Sequence, residues 1–192
     1  MWGKVSNKRV GNYYYYMKDI VVFRYGHRVV RDYRVTSHCS MVARAFGARQ
    51  IIVCGEKDES MKKSVDDITQ RWGGPFEISF VEDWKKKLNE LKKEGYCLVH
   101  LTMYGEQLID IEKEIEKKNK LCIIIGSQKV EKEVYLLAEY NVSITNQPHS
   151  EIAALAVTLD RLQQGNEMKK KFKGAKKRIL PQKNGKKVID LK

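Results

Sequence analysis

No run of 18 apolar residues occurs anywhere in this 192-residue chain, and no charged stretch near its start leads into an apolar one. Helical membrane spans need about 20 mostly apolar residues and secretory leaders need that charged-then-apolar order, so neither is expected. The expected compartment is the cytoplasm, with no membrane partner. Cysteine is sparse as well. Cys39, Cys54, Cys97 and Cys122 form no C-x-x-C pair and have no histidine at ligand spacing. Three of them lie in apolar, strand-like runs, so they read as reduced core thiols, and no metal site is expected. Two nucleotide-binding signatures are also missing, G-x-G-x-x-G after the first apolar run and G-x-x-x-x-G-K-[ST] anywhere. Their absence removes the sequence basis for a dinucleotide oxidoreductase or a P-loop NTPase.

What the chain has in excess is positive charge, +13 at neutral pH, and its placement matters more than its size. Residues 18–160 carry 22 basic and 22 acidic side chains, whereas residues 161–192 carry 12 basic and 2 acidic ones. The first 17 residues add three more basic groups. A neutral body with a basic end suits a protein that holds a polyanion beside its active site, because each phosphate neutralised releases counterions. A lysine-rich solvated end has the same composition, so charge alone leaves both readings open.

Apolar runs at 19–25, 50–54, 76–81, 96–101, 121–125 and 141–145 alternate with helical patterns at 37–45, 60–72, 83–93, 106–119, 131–139 and 150–164. Ser or Asp at the starts and Gly at several ends support those limits. Repeated βα order predicts an α/β fold, a mostly parallel sheet covered by helices on both faces. Past Gly165 the pattern changes. Two short apolar runs, Arg178-Ile179-Leu180-Pro181 and Val188-Ile189-Asp190-Leu191, flank Asn184-Gly185, a type I′ hairpin signal. The expected organisation is a main domain over 18–165 and a small basic β appendage over 166–192. Residues 1–17, with Tyr13 to Tyr16 before Met17, match nothing that follows. They are expected to be an extension upstream of a start at Met17, with an aromatic binding patch as the alternative.

Three loops follow late strands: 101–105, 126–130 and 144–151. Strand ends at the carboxyl edge of a parallel sheet offer backbone amides and short polar side chains to a small ligand. Three adjacent ones would enclose something the size of adenosine. Gly126, ending a strand, is expected to supply a positive φ or a close backbone approach. Ser150 would cap a helix whose positive end faces a carboxylate or phosphate. Ordinary βα turns also favour Gly and Asn, which is the bland reading of these segments. A second concentration of chemistry lies upstream. Arg24, Arg28, Arg31 and Arg34, with His27, would form a guanidinium cluster in a loop between a strand and a helix, opposed only by Asp32. Planar guanidinium forks suit phosphate oxygens and developing oxyanions. Arginine stays protonated, so none of these is a general base; His38 is the candidate for proton removal, with a structural helix-start histidine as its alternative.

The residues His100-Leu101-Thr102-Met103-Tyr104-Gly105, Gly126-Ser127-Gln128-Lys129-Val130, Glu133-Val134-Tyr135 and Asn146-Gln147-Pro148-His149-Ser150-Glu151-Ile152-Ala153-Ala154 form one ordered set. Gly26-His27-Arg28, Arg31-Asp32, Arg34-Val35-Thr36, Ala43 to Ala48 and Phe172 to Lys176 extend it in both directions. Together they resemble the archaeal tRNA cytidine-56 ribose 2′-O-methyltransferases of the SPOUT class over essentially residues 18–191. The resemblance implies a C-terminal trefoil knot, an exception to the rule against threaded chains. It also implies S-adenosylmethionine bound in a bent form within that knot, a tRNA substrate, and a homodimer whose partner completes the substrate pocket. By the same likeness Leu101, Gly126, Ser127, Gln128, Lys129, Val130, Ile144, Thr145, Asn146, Gln147, Pro148, His149, Ser150 and Glu151 would hold the cofactor; Arg28, Arg31 and Arg34 are assigned to phosphate and oxyanion contacts, and His38 to proton removal, by their own chemistry. Gln128 stands where relatives commonly have Glu, which removes a charged role at that position. An RNA-binding module that keeps the fold without the chemistry is the alternative.

Overall fold

A computed structural model describes residues 18–127 and 129–191, so the N-terminal extension and Gln128 lie outside the described residues. The elements run β1 (Asp19–His27), α1 (Val29–Ala45), β2 (Gln50–Gly55), α2 (Glu59–Trp72), β3 (Glu77–Val81), α3 (Trp84–Lys93), β4 (Cys97–Gln107), α4 (Leu108–Ile115), β5 (Lys120–Gly126), α5 (Lys132–Leu137), β6 (Tyr140–Ser143) and α6 (Glu151–Gln163). A 3-10 turn (Asn166–Lys169) and an antiparallel pair, β7 (Lys177–Ile179) with β8 (Val188–Asp190), follow. The sheet is parallel throughout, in the order β3-β2-β1-β5-β4-β6. Its central strands are apolar on both sides, and each side has its own core. One contains Cys39, Ala43, Met61, Ile111, Leu155 and Leu159 from α1, α2, α4 and α6; the other contains Leu88, Leu91 and Val134 from α3 and α5. The four cysteines are all buried free thiols.

Caps fix several helix starts where the sequence placed them. Asp58 Oδ1 accepts from the Met61 amide, Asp83 Oδ1 from the Lys86 amide and Ser150 Oγ from the Ile152 amide. The largest departure is α1. Its predicted start near 37 moves back to Val29, so the arginines expected in a loop lie on or just before a helix. The reason is physical. The inward face of α1 carries Asp32, Thr36, Ser40 and Arg44 at four-residue spacing, all buried, so the helix has no apolar stripe to betray its first two turns. Each inward residue has a hydrogen-bond partner: Asp32 accepts from Arg28, Thr36 meets His27 and Arg24, Ser40 donates to the Thr36 carbonyl, and Arg44 donates through Nη2 to the Gly73 carbonyl.

Two further expectations change. A type I′ turn needs positive φ at both central residues, yet of Asn184-Gly185 only Gly185 (φ 93°) has it, and residues 180–187 form a longer connection between β7 and β8. Gly126 is not among the glycines with positive φ. The apolar face of α6 is spent internally, since Leu155, Leu159 and Leu162 are buried while Ala153 and Val157 face outward.

The strand that shapes the molecule's ligand edge is β4, which is far longer than its predicted six residues. It pairs with β6 twice: Leu101 and Glu106 both stand opposite Val142, so residues 102–105 are pushed out as a bulge. Gly105 makes this possible. A Cβ there would sit 2.4 Å from the Asn141 carbonyl carbon and oxygen and 2.5 Å from the Val142 nitrogen, all backbone atoms that cannot step aside. Asn146 Nδ2 donates to the Met103 carbonyl at 2.8 Å and ties the segment after β6 to the bulge. Gly105→Ala is therefore expected to cost about 1–3 kcal/mol through overpacking. A shift of the urea midpoint would report it; a variant as stable as the parent would show that the bulge yields freely.

Candidate active site

The bulge of β4, the end of β5 and the segment between β6 and α6 surround a cavity of about 750 Å³ at the carboxyl edge of the sheet. That volume is in the range of small-molecule sites. Leu101, Val130, Val142, Ile144 and Ala154 give it apolar walls; Thr102, Tyr104, Lys129, Lys132, Tyr135, His149 and Glu151 supply polar and charged groups. Tyr104 is 80% exposed at the rim. A wider groove of about 910 Å³ runs beside the edge strand β3, but lysines and carboxylates from α2, β3 and α3 line it in near balance, and none of the three ligand loops reaches it.

Arg24 organises the cavity from behind. Its residue is fully buried in β1. Nε donates to Thr36 Oγ1 at 3.3 Å, Nη1 to the Gly126 carbonyl at 2.8 Å, and Nη2 to Glu151 Oε1 at 3.0 Å. One side chain thus joins α1, the end of β5 and the first turn of α6. Ser127 Oγ donates to the Gly26 carbonyl, fastening the same loop to β1 a second time. The back wall carries a neutral network. His100 is buried, its Nδ1 lies 2.9 Å from Asn141 Oδ1, and its ring meets the Tyr135 ring edge-on at 4.6 Å. Burial lowers the His100 pKa, and the Asn141 hydrogen bond only partly opposes it, which keeps the imidazole uncharged. Asn141 Nδ2 donates to the Tyr135 carbonyl, and the Tyr135 hydroxyl lies 3.1 Å from Thr102 Oγ1.

Of the residues singled out by sequence, Leu101, Gly126, Lys129, Val130, Ile144, His149 and Glu151 line this cavity. Ser127, Asn146 and Ser150 support it through the hydrogen bonds given above. Thr145, Gln147 and Pro148 are exposed beside it. Thr102, Met103 and Tyr104, in the expected loop of β4, also line it, through a bulge set by pairing with β6; sequence reasoning missed Lys132 and Tyr135 of α5, which no local pattern in the sequence brings to this edge. Arg28, Arg31, Arg34 and His38 do not line it. Arg31, Arg34 and His38 are exposed along α1. Arg28 is held by Asp32, which accepts from both its backbone amide and its Nε at 3.0 Å. Burial would raise the Asp32 pKa, but the Arg28 hydrogen bonds and charge outweigh it and hold the carboxyl below its usual value. Arg24 leaves the cluster altogether, being internal. Among the described residues no group of His, Cys, Asp or Glu is placed to hold a metal ion, and no helix is long and apolar enough to cross a membrane.

Known proteins resemble this arrangement. A family model described as tRNA ribose 2′-O-methyltransferase, aTrm56, matches residues 72–189. The tRNA (cytidine(56)-2′-O)-methyltransferase of Thermococcus kodakarensis is 52% identical over 178 residues, covering 91% of this chain and 98% of that protein. The protein of the same name from Pyrococcus horikoshii is 53% identical over 176 residues, covering 90% of this chain and 85% of its own length. Among solved structures, the A. aeolicus TrmH/SpoU tRNA modifying enzyme superposes with a TM-score of 0.59 at 16% identity over 79% of this chain and 77% of that one. The SpoU methyltransferase AviRb from Streptomyces viridochromogenes, in complex with the cofactor AdoMet, superposes with a TM-score of 0.58 at 16% identity over 78% of this chain and 58% of that one.

The Arg24–Glu151 pair makes a directional test. Glu151→Leu alone strands a guanidinium that is almost wholly buried and is expected to cost about 3 kcal/mol. Adding Arg24→Met removes the stranded charge and is expected to restore at least half of that loss. Denaturation midpoints of the two single variants and the double variant would check it; strictly additive losses would mean the two groups are not coupled.

Proposed function

This chain belongs to the tRNA ribose 2′-O-methyltransferase family, and on that premise we propose how its cavity, its arginines and its basic tail divide the work. The enzyme transfers the methyl group of S-adenosylmethionine to the 2′-hydroxyl of cytidine 56, in the T-loop of tRNA. The carrying observation is the cavity at the ends of β4, β5 and β6, whose apolar walls and strand-end amides suit an adenosine. Leu101, Gly126 to Val130 and Ile144 to Glu151 hold the cofactor there. The carbonyl of Gly126 is already committed to Arg24, so at that position the ligand meets the small residue itself rather than its acceptor. S-adenosylmethionine supplies an electrophilic methyl group on a positive sulfur, while the Glu151 carboxylate on the cavity wall is held in place by its pair with Arg24. No observation favours an RNA-binding module without chemistry.

The trefoil knot belongs to the same reading. The segment after β6 is fastened to the β4 bulge through Asn146, and α6 then packs against α1 and β5, an arrangement that suits a chain end drawn through a preceding loop. A homodimer follows from the separation of the two chemical groups. Arg31, Arg34 and His38 share the outer side of α1 with Val30, Tyr33 and Met41, apolar residues at least 36% exposed. A twofold partner would cover that apolar surface and carry one protomer's arginines to the other's cavity. In that position Arg28, Arg31 and Arg34 contact phosphate and stabilise the developing 2′ oxyanion. Residues 18–165 form the catalytic domain and residues 166–192 the RNA-holding appendage. That appendage is anchored by Phe172, whose ring lies under both Arg44 (4.7 Å) and Lys170 (5.5 Å), while Lys171, Lys173 and Lys176 stay exposed for phosphates. The enzyme works in the cytoplasm, where its substrate is.

Mass-spectrometric mapping of tRNA after incubation with the enzyme and S-adenosylmethionine is expected to place one new methyl group on the ribose of cytidine 56. Its appearance on a base, or its absence, would overturn the assignment. Arg34→Ala is expected to lower kcat at saturating tRNA by about 100-fold or more, as for loss of an oxyanion-stabilising group. Removal of residues 169–192 is expected instead to weaken tRNA binding and flatten its salt dependence, with a thermal melt confirming that the body remains folded. An Arg34→Ala enzyme that turns over at the parental rate would reduce the arginines to a docking surface.

A further inference from the structure

Methylating a hydroxyl releases a proton, and no arginine can take it. We propose that His149 accepts the 2′-hydroxyl proton through Nε2, so the general base stands on the cavity wall rather than at His38 on α1. The inference rests on the methyl-transfer reading and names the group that completes it. His149 lines the cavity and is exposed, between Pro148, whose ring fixes its own φ, and Ser150, whose hydroxyl caps α6. Its Nδ1 lies 3.2 Å from the Ser150 carbonyl oxygen. A carbonyl oxygen only accepts, so Nδ1 carries the hydrogen and Nε2 keeps its lone pair.

The other titratable and charged groups that face this cavity fail for separate reasons. His100, on β4, is shut from solvent and engaged with Asn141 and Tyr135, so it has no route to pass a proton onward. Glu151, on α6, is paired with Arg24. Lys129 and Lys132 are ammonium donors without a lone pair. The hydroxyls of Tyr104 and Tyr135 are weak acids, not bases, and that of Tyr135 is engaged with Thr102. In the step, the 2′ oxygen bonds to the methyl carbon as the carbon–sulfur bond breaks, and that bond's electron pair stays on sulfur and cancels its positive charge. The hydroxyl proton moves to Nε2, giving an imidazolium that later releases it to water. Products are the 2′-O-methyl ribose, S-adenosylhomocysteine and one proton.

Nitrogen-15 NMR of the full-length protein without ligand reads the tautomer, and it is expected to show the hydrogen on Nδ1 of His149. The opposite tautomer would overturn the proposal. In His149→Gln, kcat with both tRNA and S-adenosylmethionine saturating is expected to be lower by about 100-fold or more, whatever change in cofactor affinity accompanies it. Imidazole added to His149→Ala should restore part of the rate. A kcat within about threefold of the parent in His149→Gln at saturating cofactor and tRNA, or no rescue of His149→Ala by imidazole, would each sink the assignment. A parent protein that neither binds S-adenosylmethionine nor methylates tRNA would instead refute the methyltransferase reading itself.

Discussion

A buried guanidinium must find partners for its charge and its donors or remain unstable, and Arg24 meets that demand with three acceptors from three different elements. Because Thr36, Gly126 and Glu151 sit on α1, β5 and α6, satisfying one side chain fixes the mutual position of the arginine-bearing helix, the central ligand loop and the last helix of the body. A hydrophobic residue of the same size would fill the volume, but it would impose no such geometry. The remaining features lean on this arrangement. Ser127 fastens the loop beside Gly126, and Ser150 caps the helix that carries Glu151. The cavity is thus backed by a fully buried Arg24 and is open to solvent at Tyr104.

The opening itself depends on a strand that breaks register. Were β4 paired continuously with β6, Thr102, Met103 and Tyr104 would alternate along a regular ladder and there would be no cavity. The bulge places them around the ligand space, and it persists because Gly105 lets two backbones approach more closely than any Cβ allows. Strand-end amides, an apolar pocket and a fixed carboxylate are then available together, which is what a positively charged, adenosine-bearing methyl donor requires.

Much of the fold was legible in the sequence because its signals were local. Six apolar runs became six strands, and Asp58, Asp83 and Ser150 capped helices within a residue or so of the expected starts. What stayed hidden was hidden for identifiable reasons. The first two turns of α1 escaped because its inward residues, Asp32, Thr36, Ser40 and Arg44, are polar, and their hydrogen-bond partners lie between four and 29 residues away in the chain. Arg24 read as one more member of a basic loop, since nothing near it in sequence reveals that Gly126 and Glu151 converge on it. A positive φ was expected at Gly126, at the end of a strand, and is not found there, whereas the close approach at Gly105 arises from pairing with β6. The three loops were recognisable individually; their convergence, and the exclusion of the α1 arginines from the cavity, follow from topology alone.

The central claim is that the loops after β4, β5 and β6 form the S-adenosylmethionine site. Amide hydrogen exchange of the full-length protein, with and without S-adenosylmethionine, tests it most directly. Slowed exchange is expected at residues 100–105, 126–130 and 143–151, with no change along the groove beside β3. Protection of residues 77–90 on addition of the ligand, with the three loops exchanging as before, would contradict the account.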